Sequence, residues 1–184
     1  MRPFALAIAA VAIFALVARR SVSGMTSGGG LPGVETGSLD ALNPQFKRQF
    51  LQLVAAMRGE GFEVQTMRTY RSPERQRYYL EQGTSSVSRS FHTVTRGGRP
   101  SAFAADVTQR GLSSLRPSDE LELSRFYLEL RKQARRFGLR TGGEYSRRAD
   151  SPWAKYDLGW DPGHVEPANY TIAQAHSGAT WNLA

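Results

Sequence analysis

Asp106 makes the strongest demand on any fold this chain adopts. It sits in Ala104-Ala105-Asp106-Val107, inside a stretch, Ala102 to Thr108, that reads as a short buried strand. A carboxylate in an apolar strand costs several kcal/mol unless a cation meets it. The strand must therefore lie beside an arginine or beside a metal ion. Arginine is available, since Lys and Arg number 24 against 16 Asp and Glu, a formal charge of +8. A metal site is open too, within limits. The chain has no cysteine, which excludes disulfides and thiolate sites and leaves His, Asp and Glu as ligands. There are three histidines: His92, His164 and His176.

His164 lies in Asp161-Pro162-Gly163-His164-Val165-Glu166. The Pro-Gly pair reads as a turn, which lets Asp161 reach the same point as His164 from the other side. A carboxylate beside an open zinc position is what a metal-activated water needs as its general base. His92 lies in a Ser-rich loop, Ser90-Phe91-His92. Two His and one carboxylate, with a fourth position left to water, make a catalytic zinc composition: His92, Asp106 and His164. The plainer reading pairs Asp106 with an arginine and makes His164 a structural residue after a turn. The residues alone leave both open. His176 falls in a polar tail and reads as solvated.

The chain of 184 residues is long enough for one domain with its own core. Residues 1–20 read as a signal peptide or signal anchor: Phe4 to Ala18 is an unbroken apolar run with Arg2 before it and Arg19-Arg20 after it. As a helix that run covers roughly 22 Å, short of a hydrocarbon core of about 30 Å. Residues 21–38 contain Ser27-Gly28-Gly29-Gly30 and Leu31-Pro32-Gly33 and read as a flexible linker. Residues 39–184 form the domain. Asn43-Pro44 opens a helix carrying Phe46, Phe50, Leu53, Val54 and Met57, and Gly59 and Gly61 end it. Phe62 to Thr69 reads as a strand with imperfect alternation. Ser72-Pro73-Glu74 caps a second helix, and Ser118-Asp119-Glu120 starts a long amphipathic one that closes at Gly138. Leu139 to Tyr145 and His164 to Glu166 read as strands. The sum is an α+β fold, a small antiparallel sheet with helices packed on it. The basic balance favours an anionic partner such as a cell wall or anionic lipid. Lys and Arg form no long block and aromatic residues do not interleave with them, so nucleic acid is not expected.

Five ordered motifs together resemble one family, the zinc D,D-carboxypeptidases and L-alanyl-D-glutamate endopeptidases. That family includes vancomycin-resistance D-alanyl-D-alanine peptidases and phage endolysins, and shares a fold with the hedgehog signalling domain. The motifs are Tyr70-Arg71-Ser72-Pro73-Glu74-Arg75-Gln76, Ser90-Phe91-His92, Ala102-Phe103-Ala104-Ala105-Asp106, Phe137-Gly138-Leu139-Arg140-Thr141-Gly142-Gly143-Glu144-Tyr145, and Asp161-Pro162-Gly163-His164. They span roughly Leu42 to Pro167. Two departures stand out. Thirteen residues separate His92 from Asp106, more than the family's usual spacing, and Ala102 replaces a usual glycine. The insert contains Arg96-Gly97-Gly98-Arg99-Pro100, a loop by composition, and a longer loop costs about 0.6 kcal/mol per doubling.

The resemblance implies that His92, Asp106 and His164 hold Zn²⁺ and that Asp161 is the general base. It implies that Arg71 stabilises the developing oxyanion, where the alternative is a strand-end salt bridge. Ser90 would orient a ligand or bind substrate, and Glu166 would support the site without acting in catalysis. Trp153, Tyr156 and Trp160 line a groove or pack in the core. The implied activity is cleavage of peptidoglycan stem peptides by an exported monomer held at the inner membrane through residues 4–18 or free in the periplasm. The Gly-Gly-Glu-Tyr block leans towards the L-alanyl-D-glutamate endopeptidases, hence a phage or prophage endolysin. The alternatives are a D-alanyl-D-alanine carboxypeptidase of the bacterial envelope, an inactive cell-wall-binding module and a structural protein of a phage tail. Asp161 argues against the inactive module, because a binder needs no base beside its metal.

Overall fold

Asn43 opens the first helix as its residue type predicts. Its side-chain oxygen accepts the backbone N–H groups of Gln45 at 3.0 Å and Phe46 at 3.4 Å, and Pro44 takes the first turn. A cap of this kind contributes about 1 kcal/mol. The computed structural model of the chain describes residues 31–146 and 148–182, and those from Pro32 onward belong to one unit. Its elements are β1 (Glu35–Thr36), α1 (Pro44–Gly59), β2 (Val64–Arg68), β3 (Tyr70–Arg71), α2 (Pro73–Glu81), β4 (Thr95–Arg96), β5 (Arg99–Pro100), β6 (Ala105–Gln109), α3 (Glu120–Arg135), β7 (Leu139–Gly142), β8 (Asp161–Pro167) and α4 (Ile172–Ser177). A 3-10 turn, Phe91–Thr93, lies between α2 and β4.

The central sheet has the order β2-β6-β8-β7 and is antiparallel throughout. Successive side chains alternate faces, and residues opposite one another across a ladder share a face. Ala105 pairs with Val165, which pairs with Thr141, and all three are buried. On the other face Asp106 pairs with His164, and Glu166 with Arg140. Helix α3 packs across β6, β7 and β8, and α1 packs on α3 and β2. Phe46, Phe50, Leu53 and Met57 of α1 and Leu123, Phe126 and Leu130 of α3 are fully buried there. A second group of rings, Phe91, Phe103, Tyr170 and Trp181, packs with Phe46 and ties the C-terminal residues to α1. The expected α+β architecture is the one observed.

Four details differ from expectation. Residues 32–38, assigned to the linker by composition, belong to the folded unit: β1 pairs with β3, Glu35 opposite Arg71 and Thr36 opposite Tyr70. A two-residue strand has no periodicity to read, and Gly33 and Gly37 hid it. The segment Leu139 to Tyr145 is a strand only as far as Gly142. The insert between His92 and Asp106 is a hairpin, β4 against β5, with Gly97 and Gly98 at positive φ in the turn. Finally, Pro162-Gly163 is not a turn but part of β8. The ladder breaks there: Thr141 faces Val165, yet the next residue, Gly142, faces Asp161. A break of this sort admits a proline that cannot donate to the ladder. It also brings backbones too close for side chains, since a Cβ on Gly142 would lie 2.0 Å from the Asp161 carbonyl oxygen.

The apolar run 4–18 and residues 21–30 of the linker lie outside the described residues. Among the described residues, no helix is long and apolar enough to cross a membrane.

Candidate metal centre

Three elements deliver the candidate ligands. His92 comes from the 3-10 turn Phe91–Thr93, Asp106 from β6 and His164 from β8. His92 Nε2 lies 3.2 Å from Asp106 Oδ1 and 3.3 Å from His164 Nδ1, and His164 Nδ1 lies 2.9 Å from Asp106 Oδ1. Tetrahedral zinc with bonds of about 2.0–2.1 Å places its ligand atoms roughly 3.3 Å apart. The observed triangle fits that size.

The outer hydrogen bonds fix which atoms face inward. His92 Nδ1 lies 2.9 Å from the Thr69 carbonyl oxygen, which only accepts, so Nδ1 carries the proton. His164 Nε2 lies 3.0 Å from Glu166 Oε2 and carries its proton there. In the neutral rings the inward nitrogens, His92 Nε2 and His164 Nδ1, then present lone pairs to the Asp106 oxygen. Three acceptors converging on one point repel unless a cation sits between them. Without a metal a proton takes that place. Burial disfavours the His164 cation, but hydrogen bonds to Asp106 and Glu166 outweigh it and push the imidazole up to about 10. Burial likewise raises the Asp106 carboxyl, and the charges and hydrogen bonds of His92 and His164 overcome this and hold it well below the usual range. The donor set is thus built for positive charge, and its size and ligand types suit a zinc ion.

Outward support continues from Glu166. Arg140 holds its Oε1 from Nη2 at 2.6 Å and from Nε at 2.7 Å. The Tyr145 ring packs between His164 and Trp160. Trp160 is 48% exposed beside Asp161, whereas Trp153 is buried edge-on against Tyr127. Trp153 is therefore a core residue, whereas Trp160 lies at the surface against Tyr145, the ring that packs on His164.

Asp161 lies at the start of β8, close enough for its carboxyl to be affected by His164, Asp106 and His92. Burial comes first and raises its pKa; among the nearby charges Asp106 adds to this while His164 and His92 oppose it. A raised carboxylate takes a proton more readily near neutral pH.

Arg71 is committed to partners. Its Nε donates to Glu35 Oε1 at 3.0 Å, its Nη1 donates to Gln76 Oε1 at 2.8 Å, and it stacks over the Tyr79 ring at 4.7 Å. Tyr79 in turn donates its hydroxyl to Glu35 Oε2 at 2.9 Å. The strand-end salt bridge weighed from the sequence is present, on a partner that composition had placed in the linker. The Ser90 hydroxyl is buried and has no hydrogen-bond partner among the described residues. His176 is not a solvated tail residue. Its Nε2 lies 3.2 Å from the Ser90 carbonyl oxygen and 3.3 Å from Thr93 Oγ1, bracing the turn that carries His92. The sequence signal for the helix that carries His176 was the capping box Thr171–Gln174, which starts α4.

No family model matches the chain, and no curated protein does. Among solved structures it is similar to the L-Ala D-Glu endopeptidase ChiX of Serratia marcescens, at 18% identity and TM-score 0.49 over 82% of this chain and 99% of that one. It is similar to the D,D-pentapeptidase VanY of a VanB-type vancomycin resistance cassette, solved in complex with Zn(II), at 15% identity and TM-score 0.42 over 80% and 84%. The LD-carboxypeptidase LdcB gives 13% identity and TM-score 0.42 over 76% of this chain and 65% of that one. Likeness at this level decides nothing about activity, which has to come from the chain's own residues.

Proposed function

We propose that this protein is a zinc-dependent peptidase of peptidoglycan stem peptides, with His92, Asp106 and His164 as the ligands. The observation that carries the reading is the triangle of inward lone pairs, sized for zinc and held from outside by Thr69 and Glu166. The substrate class rests on the five ordered motifs and on the basic surface, which suits an anionic wall.

A zinc ion held by His92, Asp106 and His164 would supply a Lewis acid and acidify a water. Asp161, whose carboxylate burial has made more basic, would serve as the base beside it and carry a proton to the departing amine nitrogen. Arg71, locked by Glu35, Gln76 and Tyr79, provides a fixed positive charge for the oxygen of the scissile carbonyl. Ser90, at the head of the turn that carries His92, would orient that ligand. The finer reading is an L-alanyl-D-glutamate endopeptidase serving as a phage or prophage endolysin, exported through residues 4–18.

Metal analysis of the purified full chain, followed by digestion of purified peptidoglycan and mass spectrometry of the new termini, tests this. About one zinc per chain and new N-terminal D-glutamate are expected. Released D-alanine would instead make it a carboxypeptidase, and absence of zinc would remove the enzyme reading. Asp161→Asn should keep zinc while lowering turnover by about 10²–10⁴, and near-normal hydrolysis would strip Asp161 of its role.

A further inference from the structure

Both carboxylate oxygens of Glu35 are taken. Oε1 accepts Arg71 Nε at 3.0 Å, and Oε2 accepts the Tyr79 hydroxyl at 2.9 Å. Gln76 Oε1 accepts Arg71 Nη1 at 2.8 Å. Two guanidinium nitrogens of Arg71 are thus held, and Nη2 has no hydrogen-bond partner among the described residues. Of the three partners Glu35 alone carries a charge that answers the arginine's. The Arg71 side chain is 13% exposed and that of Glu35 20%. Removing one member of such a pair leaves the other's charge uncompensated. Arg68 does not compete for this carboxylate. β2 pairs Thr66 with Val107 and then Arg68 with Asp106, so Met67 is an extra residue, a bulge, and Arg68 comes near. Its Nε is 3.9 Å from Glu35 Oε1 and its Nη1 3.8 Å from Asp106 Oδ2, both beyond hydrogen-bond reach. Through Arg68 the Glu35–Arg71 pair nonetheless stands beside a metal ligand.

Glu35 owes its place to the segment Gly33 to Thr36. The Val34 N–H donates to Ser72 Oγ at 3.1 Å, and the Ser72 N–H donates back to the Val34 carbonyl at 2.8 Å. Arg75 Nη2 donates to the Gly33 carbonyl at 3.1 Å, and the Thr69 N–H donates to the Thr36 carbonyl at 2.7 Å. These bonds clasp the segment across the start of α2, and β1 then sets Glu35 opposite Arg71. Gly33 has φ +71°, and a Cβ there would lie 2.2 Å from Ser72 Oγ and 2.8 Å from the Arg75 backbone nitrogen. The seat therefore admits glycine alone. None of these bonds is made to His92, Asp106 or His164. The segment is a strap with a single acidic side chain, and that side chain reaches the arginine.

Resting on the peptidase reading above, we propose that Glu35 is a positioning residue that acts through Arg71, and that residues 33–36 are the strap that delivers it. With Nε and Nη1 held, the guanidinium cannot turn, and Nη2 is left for an oxygen of the substrate. A loose arginine would have to be ordered as negative charge develops on that oxygen, and a fixed one avoids this. The strap comes just after Ser27-Gly28-Gly29-Gly30 in the sequence. The working peptidase unit thus begins at Gly33, and a cut between Thr36 and Ser38 would leave the metal ligands in place but free the arginine.

The test uses Glu35→Gln and Gly33→Val in the full zinc-loaded chain. The first keeps the shape and removes the charge; the second unseats the strap without altering Glu35 or Arg71. Both should keep about one zinc per chain. Both should lower kcat on a stem peptide by about 10- to 100-fold while KM moves by less than about threefold. A stem-peptide phosphinate, whose tetrahedral oxygens imitate the attacked carbonyl, reads the same loss by calorimetry with no bond cut. In an Arg71→Gln background neither change should cost more than about twofold further, because the group they act through is gone. Glu35→Gln decides the matter alone if Gly33→Val does not fold. Glu35-dependent phosphinate binding without hydrolysis by the wild type would sustain this proposal and sink the peptidase reading. Unchanged kcat and phosphinate affinity in Glu35→Gln would overturn the proposal and leave the peptidase reading standing. Losses that multiply with that of Arg71→Gln would overturn it too, since Glu35 would then act elsewhere.

Discussion

His92 gives its Nδ1 proton to a main-chain carbonyl, that of Thr69, whereas His164 gives its Nε2 proton to a side chain, Glu166, itself clamped by Arg140. The two halves of the site are therefore held by different parts of the molecule. On the His92 side the support is the path of the chain. Thr69 is fully buried, its N–H donates to the Thr36 carbonyl, and its hydroxyl donates to the carbonyls of Thr36 and Ser38. On the His164 side the support is a chain of charges lying on one face of the sheet. A carbonyl survives any substitution at its own residue, and a carboxylate does not. The difference shows that the same task, fixing a tautomer and a ring, can be exposed to mutation on one side and nearly immune on the other.

The largest effect should come from removing either ring. His92→Ala and His164→Ala are each expected to reduce metal content from about one zinc per chain towards none, with activity falling in step. A folded His92→Ala protein with full zinc would place the metal elsewhere. Glu166→Gln comes next. It keeps the shape but loses the charge that holds the Nε2 proton, and should weaken zinc binding about 10- to 100-fold in competition with a chelator. Thr69→Val should be the smallest. The carbonyl that receives His92 remains, so zinc affinity should move by less than about threefold, although the lost hydroxyl bonds lower stability by about 1 kcal/mol in denaturant unfolding. Equal losses of affinity in the Glu166 and Thr69 variants would erase the contrast between the two sides.

What could be read from the sequence follows from how local its cause is. The Asn43-Pro44 start of α1 is legible because cap and helix are neighbours in sequence. Asp106 is legible because a lone carboxylate in an apolar strand advertises an energetic cost. The imperfect alternation of Phe62 to Thr69 had a cause that no single segment reveals: the bulge at Met67 exists only against β6. Glu35 was invisible for a similar reason. Its meaning lies in pairing with Arg71, and its own neighbours look like linker. Pro162-Gly163 misled in the opposite sense, since the local signal for a turn was real and the broken ladder with β7 overrode it. The support of His164 by Glu166 was half legible, as the two residues sit two apart and so share a face of a strand.

The β4–β5 hairpin has an evolutionary consequence. Its base is closed, with Thr95 opposite Pro100, and the N–H of Ser101 bonds the carbonyl of Val94, so whatever happens at the Gly97-Gly98 tip leaves the base unchanged. Residues can be gained or lost at the tip over generations while His92 and Asp106 keep their separation in space. The number of residues between the two ligands along the chain is thus uncoupled from their separation in space. Arg96, whose guanidinium donates to the Ala175 carbonyl, ties the arm of the hairpin to α4 and so to the helix that braces the turn of His92.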